Sequence, residues 1–131
     1  PVALSRAKEI TDAPFNEKDL AFVRAINEFI ESHLGNSDFV IEDMAVEMGM
    51  SRTVFFKKLK GLTGLAPIEY VRDVLMQHAA ELLEQGDHAI KEISYMVGMS
   101  DAKYFTRCFK KKFNMTPTEY KKTFLRDEML K

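Results

Sequence analysis

"VGMSDAKYFTRCFKKKF", residues 97–113, opens with the same signature as "MGMSRTVFFKKLKGLTG", residues 48–64. In both, an apolar residue precedes Gly-Met-Ser, and a segment mixing aromatic and basic side chains follows. The match extends outward on both sides. Ile41, Ala45, Gly49, Met50 and Ser51 pair with Ile90, Ser94, Gly98, Met99 and Ser100 at an offset of 49. Phe55, Lys57, Leu59, Lys60, Gly64, Pro67, Glu69 and Tyr70 pair with Phe105, Arg107, Phe109, Lys110, Asn114, Pro117, Glu119 and Tyr120 at an offset of 50. One residue is gained in the second copy just after Ser100. Asn114 in place of Gly64 fits a left-handed helix cap, where Asn is tolerated next best after Gly.

Around this repeat the chain reads as helices punctuated by Gly and Pro. Residues 1–15 lack a clean period and read as a linker, or as the tail of an upstream connection. "NEKDLAFVRAINEFIESHLG" follows, with Asn16 as its cap and Glu17 and Asp19 at its positive end. Leu20, Val23, Ile26, Phe29 (or Ile30) and Leu34 share one face, and Gly35 stands where a helix stops. "IEDMAVEMG" is a shorter helix with Met44, Ala45 and Met48 inward, ended by Gly49. Ser51 caps "RTVFFKKLKGLTG". Pro67 starts a longer helix, where its missing N–H is harmless, with Tyr70, Val74 (or Leu75), Ala79 and Leu82 (or Leu83) inward. After Gly86 the pattern restarts: "IKEISYMVG", then Ser100 ahead of "DAKYFTRCFKKKFN", then Pro117 and "TEYKKTFLRDEML". With no convincing strand, the expected fold is all-α. About seven helices form two helix-turn-helix subdomains joined by a connecting helix. The domain body is 16–131, with a first unit at about 16–66, the connecting helix at about 67–85 and a second unit at about 87–131.

Short helix, glycine turn, serine cap, second helix is the outline of a helix-turn-helix. On a helical wheel, Leu59 and Leu62 fall within about 40° of Phe55 and define a buried stripe. Thr53, Lys57 and Lys60 lie opposite, with Phe56 on the flank. In the second copy Phe105 and Phe109 turn inward with Cys108 beside them. Lys103, Arg107 and Lys110 lie opposite, with Thr106 on the flank. Both outward faces are basic and in phase. No acidic residue interrupts 52–68, and Asp101 alone interrupts the second stretch. Such a helix fits the major groove, where Arg can fork onto guanine, Thr can make polar contacts and Phe can meet a thymine methyl. Lysines at the edges can neutralise phosphates. Two such helices on one chain suit adjacent groove segments. One basic stripe alone is usually just solvated surface; two matched copies make that reading harder to hold. Phe56 could equally tuck against the connecting helix.

The totals agree with a small folded domain. The chain has 131 residues, 46% of them hydrophobic, enough for a core. Its net charge is −1, but residues 1–50 carry four basic and ten acidic side chains, and residues 51–131 carry fifteen and ten. Salt screens charge beyond roughly 8–10 Å, so this local imbalance matters more than the sum. No apolar run approaches a membrane helix and no signal-peptide pattern opens the chain. The lone Cys108 suits a cytoplasmic setting and reads as a small core residue. His33, His78 and His88 lack metal-ligand spacing. No nucleophile–base pair or phosphate-cradling loop points to an enzyme, and no cofactor is implied.

These residues also resemble a known family. "A-x-x-x-G-M-S" in the first unit and "I-S-Y-M-V-G-M-S…Y-F-T-R-C-F-K-K-K-F…T-P-T-E-Y" in the second are similar to the AraC/XylS family DNA-binding domain, over roughly residues 20–124. The lead-in "EITDAPFNEKDL" looks most like the C-terminal output domain of a hybrid two-component regulator, whose parent could carry a histidine kinase. The resemblance implies two helix-turn-helix subdomains, binding to double-stranded promoter DNA and transcriptional activation; contact with RNA polymerase is expected with them, and any homodimer is expected to form through upstream parts. It places Thr53, Phe56 and Lys57, and then Lys103, Thr106 and Arg107, where the family reads bases. It makes Ser51, Arg52, Lys60, Lys110 and Lys111 phosphate contacts. Lys57 departs from the arginine common there, and lysine cannot form the rigid bidentate fork. Val40 and Ala89 stand where Ser or Thr caps are usual. The rival reading is a helical protein-interaction module without DNA binding, although stacked two-helix repeats usually need at least three copies.

Overall fold

The computed structural model describes residues 16–35 and 41–130. The expected linker at 1–15 and the Val40 cap position lie outside the described residues. Among the described residues there are seven helices and no strand. In chain order they are α1 (Glu17–Ser32), α2 (Ile41–Glu47), α3 (Arg52–Thr63), α4 (Pro67–Gln85), α5 (Ile90–Met96), α6 (Ala102–Phe113) and α7 (Pro117–Met129). Contacts divide the chain into two compact units, and the division falls inside α4 between Val74 and Leu75.

The first unit holds α1, α2, α3 and the start of α4. Asn16 caps α1 by accepting from the Asp19 N–H at 2.8 Å, and the Asp19 carboxylate accepts in return from the Asn16 N–H at 3.4 Å. Val23, Ile26 and Ile30 are buried, so the inward stripe chooses Ile30 over Phe29. Phe22 joins them, its ring 6.0 Å from that of Phe55. The helix stops at Ser32, three residues before Gly35. Leu34, expected on the inward face, is therefore outside the helix and exposed. The His33 ring stacks on Phe29 at 4.1 Å, and its Nδ1 sits 2.8 Å from the Phe29 carbonyl oxygen, which satisfies one of the last orphan acceptors early. Met44 and Ala45 are buried, while Met48 is only half-buried.

The second unit holds the rest of α4, α5, α6 and α7, together with Leu34 and Gly35. Its core joins Met76, Ala79, Ala80 and Leu83 of α4 to Ile93, Val97, Phe105 and Phe109. Cys108 packs partly buried against this cluster, as a small core residue would. Ala89 opens α5 with no side-chain cap, but its N–H donates to Glu92 Oε1 at 3.0 Å, so the chain compensates from three residues on. Thr116 and Glu119 cap α7 reciprocally, at 2.8 and 3.1 Å. The Thr116 N–H first, then the Thr116 side chain, hold the Glu119 carboxyl below its ordinary range.

The repeat survives in three dimensions. The helix before each hairpin receives a tyrosine from the helix after it. Tyr70 of α4 donates to Asn27 Oδ1 of α1 at 2.7 Å. Its counterpart Tyr120 of α7 donates to Glu84 Oε2 of α4 at 2.5 Å. So α4 closes the first unit with its beginning and supplies the leading helix of the second with its end. Burial pushes the Tyr70 hydroxyl well above its ordinary value. Burial first, then the Glu84 hydrogen bond and charge, push Tyr120 up to about 12.

Two outcomes follow from these tyrosines. Tyr70→Phe strands the fully buried side of Asn27, whose Nδ2 already lacks a partner, and should cost about 1–3 kcal/mol in urea unfolding. A raised tyrosine pKa means the folded state holds the proton more tightly. That stability is complete below pH 10 and is lost as pH rises through about 12. The alkaline fall in unfolding midpoint should therefore be shallower in Tyr120→Phe than in the parent chain.

Candidate nucleic-acid interface

Each unit presents its second hairpin helix through the same turn. Glycine at positive φ, Gly49 at +67° and Gly98 at +81°, reverses the chain after the short helix. The Met50 N–H then bonds the Ala45 carbonyl, and the Met99 N–H the Ser94 carbonyl, both at 2.9 Å. The Gly49 N–H reaches Val46 and the Gly98 N–H reaches Tyr95, also at 2.9 Å each. This pair of bonds is the Schellman closure. In the second unit Ser94 Oγ adds a buried bond to the Met99 carbonyl at 2.6 Å.

The caps differ. Ser51 opens α3 by accepting from the Val54 N–H at 3.3 Å. Ser100 does not take that role in the second unit. Asp101, the gained residue, does, accepting from the Lys103 and Tyr104 N–H groups at 2.9 and 3.3 Å. The insertion thus moves the cap by one residue and puts a carboxylate at the positive end of α6. Both helices end alike, with Gly64 and Asn114 in the left-handed region at φ of 76° and 60°. Each donates its N–H back at 2.8 Å, to Lys60 and Lys110 respectively.

Of the residues singled out on α3 and its cap, Ser51, Arg52, Thr53, Lys57 and Lys60 are exposed and Phe56 is half-buried. On α6, Lys103, Arg107, Lys110 and Lys111 are exposed and Thr106 is half-buried. Phe55, Leu59, Phe105 and Phe109 are fully buried, which fixes the rotation of each helix. Thr106 Oγ1 donates to the Ala102 carbonyl at 2.9 Å, so toward a ligand it offers its methyl and lone pairs rather than a hydrogen. Lys58 leans inward, its Nζ 4.6 Å from the Phe22 ring centroid.

Three features escape a helical wheel drawn for one helix at a time. Arg52 makes an ion pair with Glu42 of α2 at 2.7 Å and lies over the Phe56 ring at 4.8 Å. Val54 and Tyr104, counterparts at an offset of 50, are exposed apolar residues on the opening turns of α3 and α6. The signal for the last two was present in the alignment of the copies, since hydrophobic residues recur there outside the buried stripe. No metal-binding group of three or more His, Cys, Asp or Glu occurs among the described residues. No helix among them is long and apolar enough to cross a membrane.

Two in-register hairpins of this kind define a double helix-turn-helix domain. A family model described as a helix-turn-helix domain matches residues 44–123, which takes in both hairpins. The chain belongs to the AraC-type helix-turn-helix family of DNA-binding domains. It is 35% identical over 122 residues to histidine kinase P4 of Formosa agariphila, covering 92% of this chain and 9% of that protein. It is 33% identical over 107 residues to the Msm operon regulatory protein of Streptococcus mutans, covering 82% of this chain and 38% of that protein. The chain thus spans well under half the length of these curated relatives. Among solved structures, the C-terminal domain of AraT, a response regulator from Geobacillus stearothermophilus, is 30% identical with a TM-score of 0.69, covering 78% of this chain and 84% of that one.

Asp101 allows its two roles to be separated. Asp101→Ala removes the cap and should cost about 0.5–2 kcal/mol of stability. Asp101→Asn keeps the cap but drops the charge. It should melt close to the parent chain while binding random duplex DNA more tightly and with a steeper salt dependence.

Proposed function

We propose that this chain is a sequence-specific, double-stranded DNA-binding output domain of a bacterial transcriptional regulator acting as an activator. The observation that carries it is the exposure, on both α3 and α6, of a basic face opposite a fully buried aromatic–aliphatic stripe. The helices enter successive major-groove segments of promoter DNA. Thr53, Phe56 and Lys57 of α3 and Lys103, Thr106 and Arg107 of α6 face base edges. Ser51, Lys60, Lys110 and Lys111 contact phosphates and set register. The likeness to a histidine kinase and to a response-regulator domain supports a two-component parent, hybrid or otherwise, working in the cytoplasm. Contact with RNA polymerase and pairing through upstream parts would complete activation, pairing adding avidity. Residues 16–131 act as the DNA-binding body, with the connecting helix at about 67–85 between its two reading units.

Fluorescence anisotropy with mixed duplex DNA at two salt concentrations tests the reading. Affinity that falls steeply with salt is expected. No binding at about 50 mM salt would favour a protein-interaction module instead. Arg107→Ala should cost about 1–3 kcal/mol on the proper site and blur preference there. Lys111→Ala should weaken all sequences alike and flatten the salt slope by about one. Equal losses on specific and random DNA from both changes would refute this division of roles.

A further inference from the structure

Arg52, at the first position of α3, is held from two sides. Its Nη1 lies 2.7 Å from Glu42 Oε1, and its guanidinium sits 4.8 Å from the centroid of the Phe56 ring one turn along the same helix. The two charged side chains stay 64% and 49% exposed, and an ion pair so placed adds little to stability. Nor does the hairpin need it. In the second copy Lys91 stands at the position of Glu42 and Ala102 at that of Arg52, yet the turn closes with the same backbone bonds. The pair is private to the first unit and belongs to its surface.

Its chemistry discriminates between two uses. For a phosphate contact the arrangement is poor, because Glu42 offsets the charge whose counterion release would drive binding. For a base contact it is good. A carboxylate fixing one edge of the guanidinium and a ring covering one face leave the remaining N–H groups with a set direction. A bidentate contact to guanine O6 and N7 requires that. The first turn of a recognition helix is also where base edges come within reach. The second unit offers a parallel: Arg107, the sole arginine of α6, lies 5.8 Å from the Tyr104 ring centroid. Each recognition helix thus carries one arginine set over an aromatic ring of its own.

We propose that Arg52, held in place by Glu42 and Phe56, reads a guanine in the major groove rather than a phosphate, with Glu42 as its positioning residue. This rests on the DNA-binding reading above. It supplies the first unit with the fork that Lys57 cannot make.

The test starts by selecting a preferred duplex from a randomised pool with the parent chain. Binding of the parent, Arg52→Lys and Glu42→Gln is then measured on that duplex, on versions with each G·C pair changed in turn, and on random DNA. Arg52→Lys should lose roughly 5- to 100-fold on the selected duplex. It should keep its random-DNA affinity and salt slope, and become indifferent at one guanine. Glu42→Gln should blunt preference at that same guanine, leave the melting temperature unchanged and strengthen random-DNA binding. A purely structural role would instead move melting and all sequences together. Full retention of base preference in Arg52→Lys would overturn the proposal. So would an Arg52→Ala that weakens every sequence equally and lowers the salt slope by about one. If the parent chain bound no duplex at all, the DNA-binding reading itself would fail and this inference with it.

Discussion

The geometry of both units depends on one backbone closure. Six residues span from Ala45 to Met50 and from Ser94 to Met99, and in each case the last N–H bonds the first carbonyl. The closure needs a residue at positive φ just before its end, and glycine adopts that conformation without the steric cost a side chain brings. With the turn set, the next helix leaves at one angle, and burial of Phe55 and Leu59, or Phe105 and Phe109, sets its rotation. Every statement about which side chains face outward follows from those two constraints.

The duplication separates what is shared from what is not. Inward positions keep their chemistry between copies: phenylalanine at 55 and 105, large apolar at 59 and 109, tyrosine at 70 and 120. Outward positions diverge, with Thr53 against Lys103, Phe56 against Thr106 and Lys57 against Arg107. The two tyrosines hold equivalent places but bond to different acceptors, an amide in one unit and a carboxylate in the other. A repeated frame with unlike faces suits a DNA site without internal symmetry, where each half presents a different base pattern.

Much of this was legible because Gly, Pro and the 49- and 50-residue offsets are strong punctuation. The positions of α2 through α7 follow from them almost residue by residue. The failures differ in origin. Gly35 reads as the helix stop, but α1 ends at Ser32 with His33 as its cap, its ring stacked on Phe29 one turn back. Ser100 reads as a cap because its counterpart Ser51 is one; the helix instead starts one residue later, and the gained aspartate accepts from the Lys103 and Tyr104 N–H groups. The Glu42–Arg52 pair was hidden because a wheel treats each helix alone, and this contact crosses from one helix to another. Local patterns carry the frame, while a helix end, an inserted residue and one contact between helices carry the details of the surface.

Those details bear on the near-neutral charge. A net charge of −1 looks unsuited to a polyanion, but a protein feels DNA through the field within about one Debye length of its surface. On α3 that field is thinned, since Arg52 faces a carboxylate and Lys58 leans over Phe22. On α6 the exposed Lys103, Arg107, Lys110 and Lys111 face only the capping Asp101 within their own helix and cap. The two units are therefore unequal as electrostatic surfaces although equal as folds. The second carries four exposed cations on its hairpin helix, Lys103, Arg107, Lys110 and Lys111. The first keeps Lys57 and Lys60 exposed, while Arg52 and Lys58 are engaged by neighbours.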